Sequence, residues 1–364
     1  MRRVLPFLLG VFLTWVSLGS ALAQKYSNEF LNIGISARAQ AMGNAVIAST
    51  SDVTAGYWNP AGLAAIPADA GLQVAAMHAE WFAGIGKYDY LGVAIPFANG
   101  KRRLGLSVIR FGIDGIPNTL SLFDDEGNVN YDNIVEFSAA DYAVLAGLGQ
   151  QTSWLGGNLS LGGNIKIVHR VIGTFANSWG FGLDLAARLE KGPWRFGLVG
   201  RDITSTFNAW TVSFTEEEKT VLLNTGNELP DISSLEVSRP QLLLGAGYLF
   251  EKGKVTIQPE ISLYVTTDGR RNTLVSGDPF SIDPSAGLEL GYNNFVFVRA
   301  GVNQFQQELS FDQGEFWSAR PSIGVGLKLG IFAVDYAYTD LGDSQNRYSH
   351  VVSLMANLKG RVKE

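Results

Sequence analysis

From Gly71 to Leu358 the chain divides into segments of about ten residues in which apolar side chains alternate with polar or small ones, the pattern of strands with lipid on one face and a lumen on the other. Side chains of an extended chain point to opposite faces in turn, so a period of two gives each segment one apolar and one polar face. The clearest case is Val255 to Thr266. Val255, Ile257, Pro259, Ile261, Leu263 and Val265 fall on one face, and Thr256, Gln258, Glu260, Ser262, Tyr264 and Thr266 on the other. Leu159, Leu161, Gly163, Ile165 and Ile167 likewise oppose Ser160, Gly162, Asn164 and Lys166, and Phe181, Leu183, Leu185 and Leu189 oppose Asp184 and Arg188. Fourteen such segments have cores near 71–79, 87–97, 102–112, 141–150, 158–170, 178–190, 194–203, 240–250, 254–266, 284–293, 295–304, 318–329, 331–339 and 347–358. An even number is what antiparallel closure with both ends on one side requires.

Alternation alone would also suit a soluble sandwich; the connections separate the two. The second, sixth, eighth, tenth and twelfth are tight: Phe97-Ala98-Asn99-Gly100, Lys191-Gly192-Pro193, Glu251-Lys252-Gly253, Asn293-Asn294 and Gly330. They carry the Gly, Asn and Pro that hairpins favour. The long ones, Ile113–Ala140, Thr204–Arg239, Val265–Asp283 and Gln304–Trp317, are all odd-numbered. Short turns at one end and long loops at the other mark an outer-membrane barrel, and a sandwich has no reason to sort its loops this way. The expected fold is all-β, a 14-stranded antiparallel transmembrane β-barrel occupying residues 71–364.

The first residues add an export signal. Arg2 and Arg3 precede an apolar run from Val4 to Leu18, and Ser20-Ala21-Leu22-Ala23 is a small-residue cleavage site. Residues 1–23 are expected to be a signal peptide cut near Ala23, which places the protein in a bacterial outer membrane. Beyond it no window reaches the ~18 consecutive apolar residues of a spanning helix. The 8 Trp, 12 Tyr and 21 Phe favour strands, the 42 glycines disfavour helix, and an exported chain with no cysteine must be stabilised by something other than disulfides. A net charge of −6 without any basic cluster argues against nucleic acid as a partner.

Residues 24–70 do not alternate and read as two short helical stretches, Ser36–Ala48 and Asn59–Ala65, suited to a plug inside the barrel. Ser36-Ala37-Arg38-Ala39-Gln40-Ala41-Met42-Gly43-Asn44-Ala45, then Asp52, then Tyr57-Trp58-Asn59-Pro60-Ala61-Gly62-Leu63, resembles the start of the PorV/PorQ family, itself similar to the fatty-acid transporter FadL. Val334-Asp335-Tyr336-Ala337-Tyr338, Leu341-Gly342 and Tyr348-Ser349-His350 look like that family's last hairpin. The resemblance implies a FadL-like barrel and a part in type IX protein secretion. The partners would then be the translocon or the carboxy-terminal signal domains of secreted cargo, bound through Thr204–Arg239 and Ile113–Ala140. A FadL-like passive channel for fatty acids or other hydrophobic small molecules is the alternative. The motif residues themselves, Arg38, Met42, Gly43, Asp52, Trp58, Asn59, Pro60 and Gly62, read as structural. Asn59 before Pro60 can cap a short helix, Gly43 permits tight packing, and Trp58 is a large apolar anchor.

No enzyme chemistry stands out. His78, His169 and His350 lie on separate segments without a second ligand at metal spacing, and no nucleophile elbow, phosphate loop or dinucleotide fingerprint is present. No cofactor or metal is expected. Pairs such as Gly245-Ala246-Gly247 and Gly324-Val325-Gly326 sit within strands and read as close packing in a barrel wall. Asp124-Asp125-Glu126 and Glu216-Glu217-Glu218 read as solvated loop faces. Trp81, Trp154, Trp179, Trp194, Trp210 and Trp317 fall where interfacial aromatic girdles or loop anchors would put them.

Overall fold

The computed structural model describes residues 27–81, 84–97, 101–122, 128–226, 228–229, 233–310, 314–340 and 348–358. The expected signal peptide, the last three residues of the Phe97–Gly100 turn, the run Asp124-Asp125-Glu126 and the pair Leu341-Gly342 lie outside the described residues.

The strands are β1 (Leu72–Trp81), β2 (Gly86–Phe97), β3 (Arg102–Asn118), β4 (Val135–Gln151), β5 (Leu159–Ile172), β6 (Ala176–Lys191), β7 (Trp194–Arg201), β8 (Thr206–Val212), β9 (Ser233–Ser238), β10 (Gln241–Tyr248), β11 (Phe250–Lys252), β12 (Val255–Thr266), β13 (Ser281–Tyr292), β14 (Val296–Ser310), β15 (Gly314–Leu329), β16 (Phe332–Asp340) and β17 (Tyr348–Leu358). All neighbours pair antiparallel. The ring runs β1 to β7, then β10, then β12 to β17, and closes where β17 pairs with β1 from Leu72↔Leu358 to Glu80↔His350. These are fourteen strands without a free edge, the arrangement in which backbone groups can cross a membrane fully paired. The short β11 continues β10 past Leu249, and β8 and β9 form a hairpin above β6.

The period of two becomes inside and outside. On β12, Gln258, Glu260 and Ser262 are buried while Val255, Ile257 and Ile261 are 42%, 38% and 58% exposed. Leu106, Val144, Leu185, Leu198, Val298 and Leu354 extend this apolar outer face around the ring. Trp154, Trp179, Trp194 and Trp317 are exposed, as a girdle needs, but Trp81 and Trp210 are not in it. Trp81 is buried, and the Trp210 indole donates to Glu236 (3.0 Å) beneath the Arg170 guanidinium.

The loop boundaries need correction. β3 runs on to Asn118 and β4 starts at Val135, so much of Ile113–Ala140 is paired hairpin, and β14 with β15 does the same over Gln304–Trp317. Backbone pairing in water does not require an apolar face, so these extensions carry no alternation to read. Register slips between Ile113 and Ile116 and between Asn303 and Gln306, where Gly115 (φ 67°) and Gln304 (φ 51°) are left-handed, mark where each hairpin leaves the regular wall. Thr204–Arg239 holds β8, β9 and a helix, Glu216–Asn224, whose acidic first turn is a capping box: Glu218 N donates to Thr215 Oγ1 and Thr215 N to Glu218 Oε2.

Residues 27–70 fill the lumen, entering beside Asn208 and Ser238 at the loop end and leaving beside Arg103 at the turn end. The expected helix Ser36–Ala48 is only Ala37–Ala41. Gly43 (φ 60°) and Asn44 (φ 63°) are both left-handed, which ends it. A second short helix, Ala55–Trp58, precedes the 3-10 turn Pro60–Ala65. Asn59 caps that turn, its Oδ1 accepting from Ala61 N (3.2 Å) while its Nδ2 donates to Ile47 O (2.8 Å). Asn59→Ala should cost about 1–2 kcal/mol, the ordinary loss of a cap, read as a lower urea midpoint at unchanged slope for the protein in vesicles. An unchanged midpoint would mean the cap is not contributing.

Candidate functional site

The motif residues of the inner segment go to opposite walls. Ala37–Ala41 lies against β14 to β17, with Ala37 N donating to Ser353 Oγ (2.7 Å) and Ser322 Oγ to Ala41 O (3.2 Å). Pro60–Ala65 lies against β3 to β6. Trp58 sits between them, 1% exposed, its indole donating to Ile35 O (3.1 Å) and its ring edge-on to Tyr57 at 4.8 Å. Asp52 accepts from Thr54 N (2.8 Å) and Thr54 Oγ1 (2.5 Å), closing the turn that leads into Ala55–Trp58. Asn59, Pro60 and Gly62 thus meet one side of the barrel, and Arg38, Met42 and Gly43 the other.

Contact on both sides depends on missing side chains. A Cβ on Gly149 would lie 2.7 Å from Pro60 O, one on Gly245 2.7 Å from Ala48 N, and one on Gly105 2.9 Å from Leu63 Cδ1. Gly162, Gly197, Gly287, Gly301 and Gly324 are as close to Ala61, Ile47, Met42, Gly43 and Ala41. Eight strands each present one glycine to the inner segment; at six of them main chain rests on main chain, while Gly105 and Gly324 receive the Leu63 and Ala41 side chains. The reverse holds at Gly43, where a Cβ would lie 2.6 Å from Val302 N, whereas Gly62 abuts Thr50 O within the segment itself.

Arg38 anchors the second side electrostatically. Its Nε is 2.9 Å from Glu289 Oε2, which Arg299 Nε also reaches at 2.6 Å, and Arg299 Nη1 is 2.6 Å from Asp335 Oδ1. Burial alone would lower the Arg38 pKa, but Glu289, Asp52 and Glu260 more than reverse this and hold it raised. Arg38 therefore keeps its charge.

A second buried cluster holds the wall itself. Between β7 and β8 the chain bulges out of register over Asp202–Ser205, with Asp202 (φ 53°) and Ser205 (φ 59°) left-handed, the Asp202 side chain buried and Ile203 exposed. Three β6 residues, Gly182 to Asp184, stand opposite six, Arg201 to Thr206. Lys166 Nζ lies 2.5 Å from Asp202 and 3.3 Å from Asp184, and Asp202 also bonds Thr206. None of Glu289, Arg299, Asp335, Lys166, Asp184, Asp202 and Arg201 was singled out as a site residue by its sequence pattern. The available signal was charge on the inward face of paired strands: Lys166 and Asp184 both stand on polar faces, two positions apart in the β5–β6 register.

The segment divides the lumen into two chambers. At the turn end is a cavity of about 690 Å³, where Arg38, Arg195 and Arg299 face Asp52, Glu289 and Asp335. At the loop end, about 320 Å³ lies over Tyr57 and Trp58, ringed by Tyr264, Thr266, Ser285 and Asn303, with Arg201 and Arg271 set against Glu29 and Asp283. Both linings mix apolar and polar side chains, with charges of both signs. The arrangement is a closed wall around its own amino-terminal segment, with a cavity on either side.

No protein-family model matches the chain, and no curated protein sequence does. Solved structures do. The chain is similar to the CymD monoaromatic hydrocarbon channel (TM-score 0.58, 13% identity, 92% of this chain and 100% of that one). It is also similar to the Pseudomonas putida toluene transporter TodX (0.53, 13%, 90% and 99%). A third is the Ralstonia pickettii toluene transporter TbuX (0.53, 11%, 89% and 98%). At this identity the likeness is one of fold, a 14-stranded FadL-like barrel with helices at its amino-terminal end.

Proposed function

We propose that the protein is a passive outer-membrane channel of FadL architecture that admits small molecules past a displaceable inner segment. The observation that carries this reading is the lumen: a closed wall, chambers at both ends, and between them a segment held by short contacts rather than by strand pairing. The apolar outer face supports placement in a bilayer, and the fold likeness supports the outer membrane. Hydrophobic small molecules are the first class to test, because the channels sharing the fold carry toluene or monoaromatic hydrocarbons by name.

Uptake of labelled toluene at limiting concentration, in an outer-membrane-bearing host lacking its own hydrocarbon channel, is expected to rise when the protein is expressed. Equal uptake with and without it sinks the hydrocarbon class.

The secretion reading keeps one specific support, the resemblance of Ser36–Leu63 and the last hairpin to the PorV/PorQ family. Its docking surface would be the projecting hairpins β3–β4 and β8–β9. Affinity purification from native outer membrane distinguishes the two: a translocon or proteins sharing one carboxy-terminal domain favour secretion, and their absence with small molecules bound favours the channel.

A further inference from the structure

The two halves of the lumen differ. Along β2 to β7 the wall is apolar where it meets the inner segment, with Tyr88, Ile109, Ala143, Leu145, Val168 and Val199 buried against it. Polar groups on that side largely find partners: Lys166 between two aspartates, Arg188 on Ala48 O, Asn164 Nδ2 on Gly56 O. Along β12 to β17 the inward residues are mostly polar. Among the described residues six buried hydroxyls lack a partner, and five of them, Ser262, Thr266, Ser285, Thr339 and Ser349, stand on these strands. Buried hydroxyls are normally bonded, so whatever occupies the space beside them must itself donate and accept hydrogen bonds.

Two of these hydroxyls, Thr266 and Ser285, line the loop-end chamber. On β12, Gln258 lines the turn-end chamber and Thr266 the loop-end one, with Glu260 and Ser262 between; on β13, Glu289 and Ser285 play the same two parts. The neck is Met42-Gly43-Asn44, pressed against Gly287 and Gly301, with Tyr264 OH donating to Asn44 O (2.6 Å). Methionine is the flexible, unbranched apolar residue, able to swing within a neck without rebuilding it. The charges along the route come in opposed pairs, Arg38 and Arg299 with Glu289 and Asp335 below, Arg271 with Glu29 above, which gives no preference for either sign but strong local dipoles.

Building on the channel reading, we propose that small zwitterionic or neutral polar solutes cross along the β12–β17 side, with Met42-Gly43 as the gate. The solute's donors and acceptors satisfy the wall hydroxyls, and its opposed charges match the paired ones.

The chain has no cysteine, so an introduced one is the only thiol. Full-length Thr266→Cys and Ser285→Cys, which line the loop-end chamber, should react in vesicles with a charged methanethiosulfonate about tenfold faster than Ala143→Cys and Val168→Cys on the apolar side, since access there needs local opening. Reaction at Ser285→Cys should remove most of the glycine flux measured by vesicle swelling, and Met42→Ala should raise that flux. Equal labelling of the two sides, or glycine flux no greater than in protein-free vesicles for both wild type and Met42→Ala, overturns the proposal. Toluene uptake in cells without glycine flux overturns it while leaving the channel standing; absence of both removes the channel as well.

Discussion

Trp58→Ala is expected to release the inner segment, at a cost of about 3–5 kcal/mol, the usual penalty for truncating a buried tryptophan. Trp58 is 1% exposed and bridges the two parts of the segment: its indole bonds Ile35 O, its ring meets Tyr57, and Gly34 lies against its edge. The hole would open beneath the loop-end chamber, which Trp58 floors. The barrel pairings do not pass through this residue, so the wall should survive. In vesicles, Trp58→Ala should therefore show protease cleavage between residues 27 and 70 together with unchanged heat-modifiable migration of the barrel, and Trp58→Phe should restore most of the protection. Equal protease resistance in Trp58→Ala and wild type would show that the segment is held without its anchor.

Lys166→Met is expected to act on the wall instead. Lys166, Asp184 and Asp202 have side-chain exposures of 2%, 4% and 7%, so removal of the ammonium leaves two carboxylates facing each other away from water. Breaking a buried ion pair from one side costs roughly 3–5 kcal/mol, whereas removing all its charges together costs far less. The loss should appear as a lower urea midpoint, and the triple change Lys166→Met, Asp184→Asn, Asp202→Asn should recover much of it. If the single change alone leaves the midpoint where it was, the bulge at Asp202–Ser205 does not depend on this charge.

The barrel was legible because lipid imposes a rule on every second residue; Val255 to Thr266 displays it without exception, and the structure places those strand limits where the alternation does. Legibility ended where that rule stops. β3 beyond Ile113 and β14 beyond Gln304 pair in water, so nothing in their side chains announces a strand. The bulge after Arg201 begins with charged residues that look like the start of a loop, and only the β6 register reveals that the wall continues through it. For the inner segment, the cap at Asn59 and Pro60 could be read from adjacent residues, but the short first helix could not, since Gly43 and Asn44 are compatible with a continuing helix until both adopt positive φ. The ion-pair partner of Arg38, Glu289, lies 251 residues away in sequence, and the eight glycines show their role only once it is known which face of each strand points inward.

Those glycines bear on the order in which the molecule is put together. A wall that touches a core through side chains can settle late, by rotamer changes; a wall that touches it through bare main chain has no such slack. Eight strands, β3, β4, β5, β7, β10, β13, β14 and β15, each rest one glycine on a segment that precedes them all in the chain, so the segment works as a mandrel. It sets the girth of the cylinder as each strand is laid down, and the seam between β1 and β17 meets only when that girth is right.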